Sequence, residues 1–350
     1  MRHVRAGKLC LTSHPCDDHA LRFCVVGAGA IGGLIAARLS VNGHDVHVVA
    51  RGETLAAIRD NGLTVTFADG SETIRTDVAV GESFDPKLNF DAVILAVKGH
   101  QIAGLAEKVS RLCGDDTVVV PVQNGIPWWF FKRFSGPHAG YDLRTLDPDG
   151  AIAAAIPAER VVGGIAYPAA ERSAASVIHH IDGDRLPVGE LDGSKSDRAT
   201  AIAYAFSSAG FKSRVLTDIR SHVWLKAWGN LAFNPISALT GSTLGQILRD
   251  PNTRQLAADM MQEAAAIAEI LDIEVPLSIE QRIKGAEAVG EHRTSMLQDR
   301  DEGRSMEVGP LIGVFVELGR LTGVSTPAID AVHALISQLN ERLHGETARR

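Results

Sequence analysis

The chain has 350 residues, with 45% hydrophobic and 22% charged side chains and a formal net charge of -7. That length exceeds a typical single core, so two domains are expected. The acidic balance argues against a nucleic-acid or anionic-membrane partner, and the longest weakly polar run, from Phe23 to Ala37, is too short and too rich in glycine to span a bilayer.

Residues 1–20 are basic but carry no continuous apolar segment, so they read as a loose N-terminal extension or an over-long start rather than a secretory signal. Cys10, Cys16, Cys24 and Cys113 show neither a disulfide framework nor zinc-ligand spacing, and a reducing cytoplasm follows by default. From Leu21 the pattern is strand, tight turn, helix, strand. The apolar run Phe23 to Val26 ends at Gly27, helical periodicity runs from Ala30 to Asn42, Gly43 stops it, and Val46 to Ala50 is the next strand. Strand-like runs recur at Ala92 to Val97 and Thr117 to Val122, separated by a helical pattern from Ile102 to Leu112. Such alternation implies a parallel, doubly wound sheet.

Arg160 to Tyr167, Ser176 to Ile181 and Arg185 to Val188 look like short strands of an antiparallel extension. Beyond about Asp218 strand signals fade, and helical patterns cover His222 to Leu239, Thr253 to Leu271, Ile279 to Val289, Met306 to Leu321 and Pro327 to Leu343. The expected fold class is therefore α/β, a Rossmann-type dinucleotide-binding domain over residues 21–217 followed by an all-α domain over 218–345 that carries substrate and catalytic residues.

Gly27-Ala28-Gly29-Ala30-Ile31-Gly32 matches G-x-G-x-x-G in the context the motif needs, after a strand and opening a helix. Glycines there let the backbone approach a pyrophosphate at a helix N-terminus, so Gly27, Gly29, Ala30, Ile31 and Gly32 are candidate cofactor contacts. The end of the second strand selects the dinucleotide. Arg51, nineteen residues after Gly32, suits the 2′-phosphate of NADP, although Glu53 could still reach a ribose hydroxyl and Arg51 could be a solvated turn residue. NADPH is the favoured cofactor.

The segment KAWGNLAFNP, residues 226–235, places Lys226, Asn230 and Asn234 four apart among aromatic residues. Successive members step about 40° around a helix and form one polar stripe. A solvated helix edge would explain it. So would a polar ligand, because a lysine held near a nicotinamide can protonate a ketone oxygen as hydride arrives at carbon, and burial lowers its pKa toward the working range. Pro235 removes a ladder hydrogen bond near Leu231 and frees a carbonyl.

Five ordered segments extend this pattern: GAGAIGG after the first strand, VKGHQ at 97–101, QNGI at 123–126, KAWGNLAFNP at 226–235 and SMLQDRDEGRSMEVGPLIG at 295–313. Together they resemble the ketopantoate reductase (2-dehydropantoate 2-reductase) family over roughly residues 21 to 345. The resemblance implies NADPH-dependent reduction of a 2-oxo acid, with ketopantoate the leading substrate. It makes Lys226 the general acid and Glu307 its acidic partner. Asn230, Asn234 and Ser295 would hold the 2-oxo acid, Asn124 would stand near the nicotinamide and help place Lys226, Lys98 would lie beside the cofactor, and Arg51 would receive the 2′-phosphate. Read from spacing alone, Glu307 is only a carboxylate at a helix start, Ser295 a loop hydroxyl, and Asp299, Asp301 and Glu302 a solvated acidic turn.

Two alternatives stand beside that reading. PWWFFKRFSGPHAGYDLRTLDPDG, after QNGI, is longer and more aromatic than is typical of the family; Trp128 to Phe131 either cover the sheet edge or pack between domains, or they reshape the acyl pocket for a bulkier 2-oxo acid. A non-catalytic NADP-binding sensor would need the glycine loop but neither Lys226 nor Glu307. Hydroxyisobutyrate and phosphogluconate dehydrogenases also pair a lysine with an asparagine four on, but VKGHQ, QNGI and SMLQD point away from them. His179 and His180 with Asp182 and Asp184 form a poor metal set, being adjacent in an expected hairpin. The partner implied is a small-molecule 2-oxo acid, and the apolar helical half is compatible with a homodimer without specifying one.

Overall fold

The computed structural model describes residues 20–70, 73–82, 84–85 and 87–347, so the extension expected over 1–20 lies outside the described residues apart from Ala20. In chain order, β1 (Arg22–Val26) leads through the glycine loop into α1 (Ala30–Val41) and β2 (Asp45–Val49). Then come α2 (Gly52–Asn61), β3 (Leu63–Phe67), β4 (Thr73–Thr76), β5 (Ala79–Gly81) and β6 (Ala92–Leu95). The half continues with α3 (Ala106–Arg111), β7 (Val118–Pro121), α4 (Ala151–Ala155), β8 (Val162–Gly164), β9 (Ala169–Ala174), β10 (Val177–Asp182), β11 (Val188–Glu190) and α5 (Asp197–Ser208).

The main sheet has the order β5-β2-β1-β6-β7, and every pairing in it is parallel. Its inner strands are apolar on both faces; β6 (AVIL) and β7 (VVVP) are buried at every position, as crossover helices on both sides require. The chain turns one way from β1 to β2 and the other way to β6, which opens a crevice at the carboxyl ends of β1 and β6.

The expected antiparallel extension is resolved into two pieces. β8 and β11 pair as a short antiparallel ribbon beside β7, to which a bridge between Val119 and Val161 ties them. β10 instead joins a separate sheet of order β4-β3-β10-β9, pairing in parallel with β3 and antiparallel with β9. That sheet covers α1, where Gly33 makes room: a Cβ there would lie 2.5 Å from Ile178 Cδ1. Within β10, His179 faces Thr66 Oγ1 at 3.0 Å and His180 the Gly183 carbonyl at 2.6 Å, so the two rings have separate partners.

The helical half comprises α6 (Ile219–Thr240), α7 (Leu244–Arg249), α8 (Pro251–Ile270), α9 (Ile279–Glu287), α10 (Ser295–Asp301), α11 (Val314–Thr322) and α12 (Pro327–Thr347). α6 is its axis, with α8, α10 and α12 packed around it. Asp218 caps α6 by accepting from the Ser221 N–H at 3.1 Å, and Gly241, at φ 75°, ends it. The helix continues unbroken through Pro235, so the proline deletes one rung to Leu231 without ending the element. The pattern from Met306 to Leu321 is not one α-helix: a π turn over Gly309–Gly313 precedes α11.

One apolar core joins the two halves. Trp128, Trp129, Phe130 and Phe131 are at most 4% exposed, and Phe130 packs at a tilt against Trp224 of α6 with ring centroids 5.9 Å apart. The aromatic cluster is thus packing between the sheet and α6. Among the described residues, no helix is long and apolar enough to cross a membrane.

Candidate active site

The glycine loop divides its work among three positions. Gly27 adopts φ 103° at the tight turn, and a Cβ there would fall 2.7 Å from Val97 Cγ1 and 2.9 Å from the Ala96 carbonyl oxygen. Gly32 lets α1 sit against that turn, since its Cβ would come within 1.9 Å of the Gly27 oxygen. Gly29 differs: a Cβ on it would meet nothing within 4 Å, so the backbone at the start of α1 borders open space. Ala30 and Ile31 form the first turn, which contains no acidic side chain. The loop therefore fits a dinucleotide pyrophosphate approaching Gly29 and the N-terminus of α1. Arg51 stands just past β2 as the N-cap residue of α2, exposed, with no hydrogen bond or ion pair from its side chain to a described residue.

Across the crevice, α6 presents Lys226. Its ammonium donates to Asn124 Oδ1 at 2.8 Å and makes a short hydrogen bond to the Ala166 carbonyl. The Tyr167 ring centroid lies 5.8 Å away. The turn after Asn124 requires glycine at 125, where φ is 81° and a Cβ would collide with the Pro310 carbonyl at 2.1 Å; the same carbonyl accepts from the Ile126 N–H at 3.1 Å. The π turn thereby presses the helical half onto the turn that positions Asn124. Burial pulls the Lys226 pKa down to about 8, opposed by the nearby Glu307 carboxylate.

Glu307 is buried, and its Oε1 accepts from the Gly99 N–H at 2.9 Å. Its pKa is raised, first by burial and further by Asp299, against lowering by the Gly99 hydrogen bond, Lys98 and Asn124. Lys226, Asn124, Glu307 and Gly99 thus form one polar cluster, assembled from the ends of β6 and β7, the β8–β9 connection, α6 and the segment before the π turn. A lysine whose pKa is lowered to about 8 can donate a proton to a carbonyl oxygen bound beside it.

The other expected residues are placed as follows. Asn234 is buried on α6 without a hydrogen bond to another described residue, and Asn230, one turn nearer Lys226, is half-buried and likewise unbonded through its side chain. Ser295 is the first residue of α10, capped by Thr294, and is exposed rather than part of a loop. Lys98 follows β6, but its ammonium is engaged by Asp299 Oδ2 at 2.7 Å and by the Ser305 carbonyl at 2.8 Å. Asp299 is accordingly no solvated turn residue: it is 6% exposed and also accepts from Arg304 at 3.0 Å. Asp301 and Glu302 are exposed, as expected.

Sequence reasoning missed Ala166, Tyr167, Gly99 and Asp299. Their roles rest on a backbone carbonyl, a ring packed across the crevice, a backbone N–H and an ion pair to a lysine 201 residues away. None has a local signature. Of the aromatic cluster, Trp129 lines a cavity of about 10 Å³ with Gln123, Val223 and Lys226.

With this geometry, the family described as "Ketopantoate reductase PanE/ApbA" matches residues 23–193, and its C-terminal counterpart matches residues 218–340. A 2-dehydropantoate 2-reductase from Mesorhizobium japonicum is 46% identical over 320 residues, 91% of this chain and 98% of the relative. The crystal structure of a ketopantoate reductase candidate from Ralstonia solanacearum MolK2 superposes with a TM-score of 0.87 at 36% identity, covering 93% of this chain and 99% of that one. D-mandelate dehydrogenase bound to NADH and anilino(oxo)acetate shares the fold, with a TM-score of 0.79 at 20% identity over 93% of this chain and 100% of that one.

Proposed function

The chain belongs to the ketopantoate reductase family, and from that membership we propose that it reduces 2-dehydropantoate (ketopantoate) to pantoate with NADPH. The observation that carries the reading is the Lys226 ammonium, fixed between Asn124 and the Ala166 carbonyl with its pKa near 8, facing the crevice at the sheet's carboxyl ends. A nicotinamide cofactor held at the glycine loop would supply hydride for C2 of the 2-oxo acid. Lys226 gives its proton to the carbonyl oxygen, so ketone, hydride and proton become the alcohol. Asn124 holds the ammonium in place for that transfer. Glu307 keeps a carboxyl group beside it and engages the hydroxyl end of the substrate, while Asn230, Asn234 and Ser295 hold the rest.

Preference for NADPH over NADH is our inference from Arg51, whose exposed guanidinium, unpaired among the described residues, follows β2 and would bind a 2′-phosphate bidentately. Gly27, Gly29, Ala30, Ile31 and Gly32 would take the pyrophosphate. Lys98 would contribute to the cofactor side only through the loop it anchors to Asp299. We divide the chain functionally at residue 217, with cofactor contacts before it and Lys226 and Glu307 after it. A non-catalytic sensor is disfavoured, since it has no use for a lysine whose charge is destabilised by burial.

The test is the initial rate of NADPH and NADH oxidation with ketopantoate beside bulkier and aromatic 2-oxo acids. NADPH-linked turnover with ketopantoate preferred by kcat/KM is the expected result. A branched or aromatic acid in first place would overturn the substrate assignment.

A further inference from the structure

The side chain of Arg282, on α9, closely approaches α6 at Gly229, in the turn between Lys226 and Asn230. A Cβ on Gly229 would be 1.8 Å from Arg282 Nη2 and 2.6 Å from its Cζ, so the glycine is what lets the guanidinium reach the helix surface. The same guanidinium acts electrostatically on Tyr167, whose ring also borders Lys226. Arg282 forms no hydrogen bond or ion pair through its side chain with any described residue, and its nearest titratable neighbour, Tyr167, is uncharged at neutral pH. Other largely buried arginines here are satisfied: Arg220 donates to the carbonyls of Phe130, Leu191 and Lys132, and Arg198 to the Glu190 carboxylate. A desolvated guanidinium with no acceptor is costly unless an anion completes it.

The substrate class proposed above brings one anionic group, a carboxylate bonded to the carbon that Lys226 serves. We propose that Arg282 is a substrate-specificity residue, which binds the carboxylate of the 2-oxo acid and so orients its ketone toward Lys226. The planar fork of a guanidinium matches a carboxylate with two parallel hydrogen bonds, which fixes orientation as well as position. The inference rests on the 2-oxo acid reading of the site but not on which acid is used.

The test compares binding of 2-hydroxy carboxylates (lactate, pantoate and mandelate) with that of their neutral primary amides by titration calorimetry on NADP-loaded protein. The proteins are the native chain, Arg282→Gln, Arg282→Lys and Gly229→Ala. The native protein should favour at least one carboxylate over its amide. Arg282→Gln should weaken carboxylate binding about 10- to 100-fold while leaving the amide and NADPH affinities unchanged. Arg282→Lys should recover part of the loss, and added guanidinium ion should partly rescue Arg282→Gln. Gly229→Ala, which displaces a flexible side-chain end rather than backbone, should fold and show the same loss. If Arg282→Gln weakens acid and amide by the same factor, or if the native protein binds no carboxylate better than its amide, the proposal is wrong. Carboxylate selectivity that depends on Arg282, without turnover of ketopantoate, would support the proposal and overturn only the choice of substrate.

Discussion

Lys226 and Asn124 are 102 residues apart in the chain and 2.8 Å apart in the fold, the one on the axial helix and the other in a turn at the end of β7. The amide oxygen accepts from the ammonium, so it orients the lysine without neutralising it. A carboxylate in that place would raise the lysine pKa and weaken it as an acid. Separating orientation from charge in this way leaves burial, opposed by the Glu307 carboxylate, to set the proton affinity.

Replacing Lys226 with alanine should lower kcat by about 10²- to 10⁴-fold, with the Kd for NADPH unchanged. Asn124→Ala should give a smaller loss, and the two losses should not add in the double variant, because both act on one proton transfer. Single-turnover rates and NADPH titrations check this. A parallel fall in NADPH affinity for Lys226→Ala would make the lysine structural.

The reductive reaction needs Lys226 protonated, and its pKa is lowered to about 8. The sign follows directly: kcat/KM should be level below that value and fall about tenfold per unit above it. Oxidation of the 2-hydroxy acid needs the neutral amine, so its kcat/KM should rise through the same region. A bound carboxylate stabilises the ammonium, so the kcat profile should break at higher pH than kcat/KM. Profiles of both directions from pH 6 to 10 test this.

Gly29 and Gly32 should fail in different ways. A methyl group on Gly32 meets the Gly27 backbone oxygen at 1.9 Å, so Gly32→Ala should cost about 2–3 kcal/mol of stability. Gly29→Ala meets nothing within 4 Å and should leave Tm unaltered while weakening NADPH binding, because its methyl occupies the space beside the helix N-terminus. Thermal melts paired with NADPH titrations separate the two.

Arg51→Ala should raise the Kd for NADPH about tenfold and scarcely change that for NADH. Raising the salt concentration should narrow the gap in the native protein, since the residue is exposed and its charge is screened. An unchanged NADPH-to-NADH ratio in the variant would remove the cofactor assignment.

The sheet that carries the site was legible in the sequence because its signals are local. A glycine loop between an apolar run and a helical period, and a polar stripe at four-residue spacing, each declare themselves within about 30 residues. The sheet made by β3, β4, β9 and β10 was not anticipated. Leu63 to Phe67 alternates as a strand should, but AERSA in β9 is mostly polar and exposed, and its pairing is with β10 rather than with a local core. Asp299 looked solvated because three acidic residues share one short stretch; only the arrival of Lys98 from the carboxyl end of β6 separates it from Asp301 and Glu302. Arg282 likewise sits on an amphipathic helix where an arginine ordinarily faces water, and the missing side chain that admits it belongs to Gly229 on another element.

The seam between the two halves has a spectroscopic consequence. The chain contains four tryptophans, and all of them, Trp128, Trp129, Trp224 and Trp228, are buried in the core that the halves share. Tryptophan emission, excited on the red edge where tyrosine does not absorb, therefore originates in that shared core, with no surface indole to dilute it. Any rocking of one half against the other that admits water will redden and dim the signal, so opening and closing can be timed in unlabelled protein by stopped-flow fluorescence.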